Sequence, residues 1–289
     1  MAFLRRLPAW EKGFFWARVA ALKRLKQEVS EEIIRRGLDI GSQILVFPEL
    51  PRGMELLRRG LREGELHHGA VICARQMTRA KGRWVRSWYA PKGGLWMALA
   101  LYDDLLPEIK PWLPLCVGIA VTKALREEGG EVWLRWVNDV HIQGRKVAGI
   151  LLEEFLLHED RWNLVGIGIN VNNPPPEGLP ACSLSRLLGR TLSLSKLFGR
   201  VMGELIRFYG LLRAYEVECL EEEKTENPLS SWFSILSDTP GQKVIFGEDL
   251  EQRGPEGVAL AKGLDSKGGL ILHTEKGTFT LRWGEVRYL

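Results

Sequence analysis

The sequence has few cysteines and histidines, and their positions exclude several kinds of site. Its four cysteines lie far apart in mostly apolar settings and form neither a Cys-x-x-Cys pair nor a cysteine/histidine spacing typical of metal sites. Its five histidines are equally scattered, so their spacing supports no Ser/His/Asp or Cys/His catalytic set. We therefore expect reduced thiols in the core and no catalysis based on zinc or a histidine-activated nucleophile.

A long apolar run is also lacking near the N-terminus, where charged residues interrupt every apolar stretch. A signal peptide or a membrane span needs a longer uninterrupted apolar segment. We therefore expect a cytoplasmic protein without a membrane partner.

The basic residues are scattered along the chain rather than run together. Lysine and arginine total 40 against 36 aspartate and glutamate residues, and the net charge is +4. The segment before Gly41 is also shorter than the roughly 60 residues that a winged helix-turn-helix needs. We expect no DNA partner, whereas the small basic excess is compatible with an anionic ligand such as ATP.

The chain contains enough apolar residues for a large core, since they make up 45% of its 289 residues. Apolar residues recur at helical spacing between Trp10 and Arg36, and Gly37 marks a stop. This spacing predicts a helical extension over residues 1–40.

From residue 43 onward strand-like and helix-like segments alternate along the chain. Between residues 132 and 171 the connections are too short for helical crossovers, so the strands there should be antiparallel. Leucine spacing then predicts helix to about Glu226. The prediction for residues 41–236 is an α/β (α+β) fold in which helices flank a mixed, largely antiparallel sheet.

The C-terminal part has a different pattern. Beyond Gly241 short apolar runs alternate with glycine turns, which predicts five or so short strands. Spacing of this kind is typical of small barrels. We expect a small β-barrel domain over residues 237–289.

A strand that ends in Asn138-Asp139, followed by a Gln-Gly turn and Lys146, is the first candidate site. Both dipeptides favour tight turns, so Asp139 and Lys146 would lie on neighbouring strands. Lys146 would offer a positive charge to a carboxylate or phosphate, and the Asn/Asp pair would offer hard oxygens to Mg²⁺. Attack of a carboxylate on an α-phosphate requires such neutralisation of charge. The alternative is an ordinary turn with a solvated edge lysine.

Two glycines inside an apolar strand mark a second candidate over residues 166–173. Glycine weakens a strand unless another group must approach the backbone closely. Asn170 would project its amide from this support. The alternative is a bulge followed by a loop, and no helix begins here, so the segment is not a dinucleotide fingerprint.

A basic loop over residues 78–88 is the third candidate. Four cations within eight positions suit a loop that closes over phosphates. The alternative is a solvated surface loop, as most charge runs are. The expected aromatic walls of a pocket are Trp84, Trp88 and Trp96.

In order and spacing these segments resemble those of the biotin protein ligases. In that family a Gly-Arg-Gly-Arg loop precedes a Lys-Trp-Pro-Asn-Asp turn, a Lys-x-Ala-Gly-Ile-Leu-x-Glu strand and a Gly-Ile-Gly-Ile-Asn-Val-Asn strand. The corresponding segments here are residues 80–83, 135–139, 146–153 and 166–172, of which the last two are close matches. The C-terminal stretch also resembles the small SH3-like domain of that family, so the resemblance covers roughly residues 40–289.

The resemblance implies a two-step reaction. Biotin and ATP would form biotinyl-adenylate and pyrophosphate, and a lysine of a biotin carboxyl carrier domain would then take the biotin. It implies Mg²⁺ as cofactor with Asp139 and Asn170 as ligands, and Lys146, Asp139 and Arg83 as catalytic residues. The implied substrate- and nucleotide-binding residues are Met77, Lys81, Gly82, Arg83, Trp88, Asn138, Lys146, Gly149 and Asn170. A homodimer is one expected assembly.

The chain departs from the family where the acid would be recognised. The family's Ser-Thr-Asn triplet, which contacts the biotin ring, is absent from residues 49–54, and its biotin-contacting Gln falls on Met77, with Gln76 one place early. Ala80 and Val85 replace loop glycines, which removes backbone freedom. Because buried polar contacts carry much of an enzyme's selectivity, two alternatives stay open. One is a related ligase that adenylates a different small carboxylic acid in place of biotin. The other is a binding or regulatory homologue without catalysis.

Overall fold

The computed structural model of the chain describes residues 9–221 and 226–289. The first eight residues of the predicted N-terminal extension lie outside the described residues. The same holds for most of the last predicted turns before Glu226, since residues 222–225 are not described and the preceding helix ends at Leu220.

The helices and strands follow the predicted alternation closely. The helices are α1 (Ala9–Glu28), α2 (Glu31–Gly37), α3 (Gly53–Arg62), α4 (Leu113–Arg126), α5 (Leu184–Leu188), α6 (Leu194–Leu220) and α7 (Pro228–Leu236). The strands are β1 (Ile44–Phe47), β2 (Val71–Ala74), β3 (Leu95–Tyr102), β4 (Val132–Arg135), β5 (Asp139–Ile142), β6 (Arg145–Leu157), β7 (Asp160–Ile169), β8 (Lys243–Gly247), β9 (Gly257–Leu264), β10 (Leu270–Thr274), β11 (Gly277–Leu281) and β12 (Glu285–Tyr288).

The larger sheet has seven strands in the order β1-β2-β3-β7-β6-β5-β4. Strands β1 and β2 run parallel, and every pairing from β2 across to β4 is antiparallel. Gln143 and Gly144 join β5 to β6 with positive φ at both positions, the geometry that tight hairpin turns need. The predicted fold class, a mixed and largely antiparallel sheet flanked by helices, is confirmed.

The C-terminal strands form a second sheet, in the order β11-β10-β9-β8-β12. All of its pairings are antiparallel. The prediction of a small C-terminal β unit with five strands is confirmed. The division of the chain into domains of residues 1–40, 41–236 and 237–289 stays a prediction.

The larger sheet buries both of its faces, because alternate residues of each strand point to opposite sides. On one face Leu95, Met97 and Leu99 of β3 belong to the core that α4 and α6 complete. On the other face Ala98 and Ala100 of the same strand pack in the cluster that contains α3. Helix α3 is short and covers part of that second face, which leaves room for a cavity beside it.

Helices α1 and α2 pack against the long helix α6. An ion pair supports this packing, since Arg24 of α1 donates to the buried Glu204 of α6 at 2.9 Å. The same arginine donates at 2.6 Å to Glu127, which directly follows α4. Close backbone approach adds to it, because a Cβ at Gly210 would lie 2.1 Å from the carbonyl oxygen of Ile33. Helices α1 and α2 are therefore part of the folded core. Among the described residues, no helix combines the length and apolarity needed to cross a membrane.

A pair of glycine substitutions tests this helix packing. We expect Gly210→Ala to lower the free energy of unfolding by about 1–3 kcal/mol, because its methyl group would collide with the backbone of α2. Gly13→Ala in α1 is the matched control, since its Cβ would meet Ser195 at an ordinary 3.5 Å. That control should be neutral or more stable by up to about 1 kcal/mol. Chemical denaturation measures both, and a Gly210→Ala variant as stable as the parent would contradict the packing.

Candidate active site

A cavity of about 630 Å³ lies on the same face of the sheet as α3. Its floor consists of residues that face this side in β3, β6 and β7, namely Trp96, Ala98, Gly149, Leu151, Gly166 and Gly168. The start of α3, the basic loop and the C-terminal sheet form its walls. Cavities of this size suit small-molecule ligands.

The hairpin of β5 and β6 places the most reactive side chains at one end of this floor. Asp139 pairs with Gly149, and after a β-bulge His141 pairs with Lys146. Paired residues face the same side of a sheet, as do residues two positions apart on one strand, so the side chains of Lys146, His141 and Asp139 share one face. The bulge places Gly149 on that face as well. Lys146 Nζ lies 2.6 Å from Asp139 Oδ1, and both side chains are about 30% exposed. The predicted position of these residues on neighbouring strands agrees with the structure.

Asn138 holds this hairpin together from the turn. Its side-chain amide donates to the carbonyl oxygen of Ile150 at 2.7 Å, and its own carbonyl accepts from the Ile150 N–H at 2.9 Å. Its side-chain oxygen accepts a longer hydrogen bond, 3.4 Å, from Arg83 of the basic loop. Asn138 thus links the Asp139 strand to β6 and to the loop above the cavity.

The charge on Asp139 is set by competing effects. Burial by itself would raise the pKa of this carboxyl, but the Lys146 ammonium and the His141 ring overcome it and hold the pKa well below its ordinary value. The carboxylate therefore stays ionised at neutral and mildly acidic pH. It keeps a fixed negative charge beside Lys146.

His141 also lies in the cavity, although histidine spacing in the sequence gives no reason to place it there. It is buried, its Nε2 lies 4.0 Å from Asp139 Oδ2, and neither ring nitrogen has a hydrogen-bond partner among the described residues. One signal in the sequence does point to it. His141 lies two positions after Asp139 on a strand, so both side chains face the same side.

Asn170 lies at the end of β7, beside the same end of the cavity. Its backbone N–H donates to Val147 at 2.8 Å, and its side-chain oxygen accepts from Asn173 at 2.8 Å. These bonds fix the amide group in place. In the part of the chain that the structure describes, no group of three or more His, Cys, Asp or Glu residues is arranged to hold a metal.

The basic loop folds back on itself above the cavity. The backbone N–H of Gly82 donates to the carbonyl oxygen of Arg86 at 2.8 Å. The backbone N–H of Trp88 donates to the carbonyl oxygen of Ala80 at 3.0 Å. The Trp88 indole covers the glycine floor so closely that a Cβ at Gly168 would lie 2.7 Å from its Nε1. These floor glycines therefore provide the close approach that the sequence pattern predicts.

The aromatic walls agree with the prediction except at one position. Trp88 and Trp96 line the cavity, and Lys146 Nζ lies 5.3 Å from the centre of the Trp88 ring. Trp84 does not line it, because its side chain is exposed and its ring lies beside Arg83 on the outer side of the loop. The expectation for Trp84 is wrong.

Contacts with the C-terminal sheet fix the basic loop, which is therefore not a freely solvated one. Arg83 donates to the carbonyl oxygen of Gly284 at 2.9 Å. Arg86 forms ion pairs with Asp249 at 2.5 Å, Glu285 at 2.9 Å and Glu251 at 3.0 Å. The C-terminal sheet thereby closes one side of the cavity, which the sequence alone gives no reason to expect.

The comparisons with known proteins agree with this geometry. The sequence model described as the biotin/lipoate A/B protein ligase family matches residues 46–172. Over 263 residues the chain is 27% identical to the bifunctional ligase/repressor BirA of Bacillus subtilis. This alignment covers 86% of this chain and 76% of that protein. The fold is similar to that of a biotin protein ligase from Aquifex aeolicus in complex with biotin and ATP, with a TM-score of 0.68, 26% identity, and coverage of 86% of this chain and 100% of that one. The chain is therefore similar in sequence and fold to members of the biotin/lipoate A/B protein ligase family.

Another relative with the same type of name is the biotin–[acetyl-CoA-carboxylase] ligase of Mycobacterium tuberculosis. It is 27% identical over 232 residues, which cover 76% of this chain and 79% of that protein. The catalytic, binding and metal residues predicted from the sequence all lie inside the matched residues 46–172, and all of them line the cavity beside α3. Their individual roles stay predictions.

The departures from the family pattern have visible structural consequences. Met77 lines the cavity, whereas Gln76 bonds to Glu49 outside it, so Gln76 does not take the place of the family's ligand-contacting glutamine. Leu50 pairs with Met77 through a short bridge and does not line the cavity. The cavity wall at this end is instead formed by Arg52, Gly53 and Met54.

Arg86 provides a test of how the loop is held. We expect Arg86→Ala to make hydrogen exchange at the Gly82 and Trp88 amides about tenfold faster, because loop opening no longer breaks ion pairs with the C-terminal sheet. Arg253→Ala removes an exposed pair within the C-terminal unit and should leave loop exchange unchanged. Exchange that stays slow in Arg86→Ala would show that these ion pairs do not hold the loop.

The Asp139 carboxylate predicts a dependence of stability on pH. Because its pKa is lower in the folded state than in the unfolded chain, it stabilises the fold above the ordinary carboxyl pKa near 4 and loses this contribution as pH falls. Asp139→Asn should therefore be less stable than the parent at pH 7, and this deficit should shrink towards pH 3. Chemical denaturation at several pH values measures it. A deficit that is constant with pH would contradict the assigned charge.

Proposed function

We propose that the chain is an ATP-dependent biotin protein ligase, which activates biotin as biotinyl-adenylate and transfers it to a lysine of a biotin carboxyl carrier domain. The observation that carries the proposal is the Lys146–Asp139 pair at one end of an apolar, glycine-floored cavity beneath a basic loop. Two relatives support the same reaction, the biotin–[acetyl-CoA-carboxylase] ligase of Mycobacterium tuberculosis and the biotin protein ligase of Aquifex aeolicus in complex with biotin and ATP.

In the first step the carboxylate of the acid attacks the α-phosphorus of ATP, and the bond to pyrophosphate breaks. Lys146 would lie between the carboxylate and the α-phosphate and neutralise both, and Arg83 would stabilise the negative charge that develops. Lys81, Gly82 and Trp88 would cover the adenylate, with Gly149 giving the ligand access to the sheet. The low dielectric of a partly buried site strengthens each of these interactions.

The donor set at this end also fits Mg²⁺ bound with the nucleotide. Asp139 offers a carboxylate that stays ionised, and Asn170 offers an amide oxygen, both hard ligands of the type that Mg²⁺ takes alongside phosphates and water. When bound, the ion would neutralise phosphate charge and make pyrophosphate a better leaving group. Asn138 would keep Asp139 in position through its bonds to Ile150.

In the second step the amine of the carrier lysine attacks the acyl carbonyl of the adenylate. A new amide bond forms, the bond from the acyl carbon to the phosphate oxygen breaks, and AMP leaves. The loop over the adenylate would exclude water in the interval, so that the activated acid reaches the carrier rather than being hydrolysed.

We propose further that the enzyme works in the cytoplasm with neither DNA nor a membrane as partner. All four cysteines are free thiols, and three of them are buried, as expected in a reducing compartment. Helices α1 and α2 are engaged with α6 rather than forming a separate head. Light scattering on the purified protein would test the predicted homodimer.

The reaction is tested by pyrophosphate release from ATP and Mg²⁺, measured separately with biotin, lipoate and octanoate, with and without a biotin carboxyl carrier domain. We expect release with biotin and a matching mass gain on the carrier lysine. Pyrophosphate release with lipoate or octanoate but not with biotin would show that the substrate is that acid and not biotin. No release with any acid would point to a binding or regulatory role.

A substitution at Lys146 tests the assigned chemistry. We expect Lys146→Ala to lower adenylation at least about 100-fold, because the carboxylate and the α-phosphate lose their shared cation. Its fold should persist, since the side chain is about one third exposed. Arg145→Ala, an exposed neighbour on the same strand, should keep normal turnover. Circular dichroism checks the fold, and normal turnover in Lys146→Ala would exclude the role.

A further inference from the structure

Arg52 lines the end of the cavity where the family's acid-contacting triplet is missing. It directly precedes α3, and its side chain is only 9% exposed. Gly53, Met54 and Met77 surround the same end of the cavity with apolar atoms. A guanidinium so deeply buried beside an apolar pocket requires a hydrogen-bonding partner for its charge.

Part of that requirement is met by Glu153 of β6. Arg52 and Arg58 each donate to one oxygen of this carboxylate. Burial alone would raise the pKa of Glu153, but the two guanidinium groups hold it below its ordinary value. A further carboxylate, Glu55, lies 4.0 Å from Arg52 on an exposed side chain. Two arginines thus share one half-buried carboxylate, and Glu55 brings the number of carboxylates beside them to two, so the cluster has no net charge. The remaining N–H groups of Arg52 can still donate.

Arg52 and Lys146 mark opposite ends of one trough. The β6 residues that face the cavity side run from Lys146 through Gly149 and Leu151 to Glu153, the partner of Arg52. Seven positions along a strand correspond to about 23 Å, and the long side chains of Lys146 and Arg52 reduce this distance from its two ends. The floor between them is glycine and apolar side chain. The trough therefore fits an elongated acid with its carboxylate at Lys146 and a polar group at Arg52.

We propose that Arg52 is a specificity-determining residue that donates a hydrogen bond to a neutral carbonyl oxygen at the far end of the acid. The favoured ligand class is a carboxylic acid whose tail ends in a cyclic urea or amide, and biotin belongs to this class. A neutral acceptor is favoured over a further carboxylate because Glu153 and Glu55 already match the two charges of Arg52 and Arg58. This inference rests on the proposed function for the identity of the reaction, but ligand binding tests it without catalysis.

The competing explanation is that Arg52 only fixes α3 to β6 through Glu153. Arg58 separates the two explanations, because it bonds the same carboxylate from α3 and does not line the cavity. A purely structural role predicts the same defect in Arg52→Met and Arg58→Met. A role in recognition predicts a defect that depends on the ligand and is confined to Arg52→Met.

The experiment is isothermal titration calorimetry of the full chain with biotin, dethiobiotin, octanoate and sebacate. Dethiobiotin keeps the cyclic urea, octanoate has an apolar tail, and sebacate has a second carboxylate. We expect Arg52→Met to weaken biotin and dethiobiotin about 10- to 100-fold, the loss of one charge-assisted hydrogen bond, and to leave octanoate within about threefold. Arg58→Met should bind all four ligands as the parent does, and Arg52→Lys should recover part of the loss.

Several results would overturn the proposal. For the parent, these are equal binding of dethiobiotin and octanoate, or tighter binding of sebacate than of dethiobiotin. For the variants, they are equal losses of affinity in Arg52→Met and Arg58→Met, or an equal loss for every ligand in Arg52→Met. Failure of the proposed function has a different signature. In that case the parent binds the cyclic ureas and Arg52→Met loses them, while no pyrophosphate is released.

Discussion

The ion pair of Lys146 and Asp139, 2.6 Å apart, is the interaction on which the rest of the site depends. It exists because Lys146 pairs with His141, whose side chain lies on the same face as that of Asp139 two positions before it. Joining a carboxylate to a triphosphate brings anions together, so a cation fixed in advance avoids the cost of reorganising charge during the reaction. Asp139 keeps Lys146 oriented and, because its pKa is held low, remains charged itself.

A second constraint comes from the floor beneath the ligand. Gly149, Gly166 and Gly168 lack side chains where Lys146, Met54 and Trp88 approach, and a Cβ at any of them would come within about 3 Å of one of these groups. The missing side chains let the Trp88 indole lie directly on the sheet. The loop that carries Trp88 is in turn fixed by Arg83 and Arg86 to the C-terminal sheet. The two sheets therefore form one site.

The sequence predicts those features that depend on neighbouring residues. The Asn-Asp and Gln-Gly turns fix the β5–β6 hairpin locally, so the meeting of Asp139 and Lys146 follows from spacing alone. Strand alternation also predicts that His141 faces the cavity, since it lies two positions after Asp139 on the same strand. The partners of Arg86 lie 163 and 199 positions away, and no local pattern encodes such contacts. Trp84 lies outside the cavity, because composition does not determine which side of a loop a side chain takes.

The Lys146 end and the Arg52 end of the trough have different chemical requirements. At the Lys146 end the requirement is neutralisation of phosphate and carboxylate charge, which any acid activated with ATP imposes equally, and here the chain keeps the family pattern. At the Arg52 end the requirement depends on the tail of the acid, and here the triplet is replaced. Because a buried guanidinium needs a hydrogen-bond acceptor, Arg52 keeps a polar group at this end of the pocket where the triplet is missing. Selectivity can thus persist at this end even though the residues that supply it have changed.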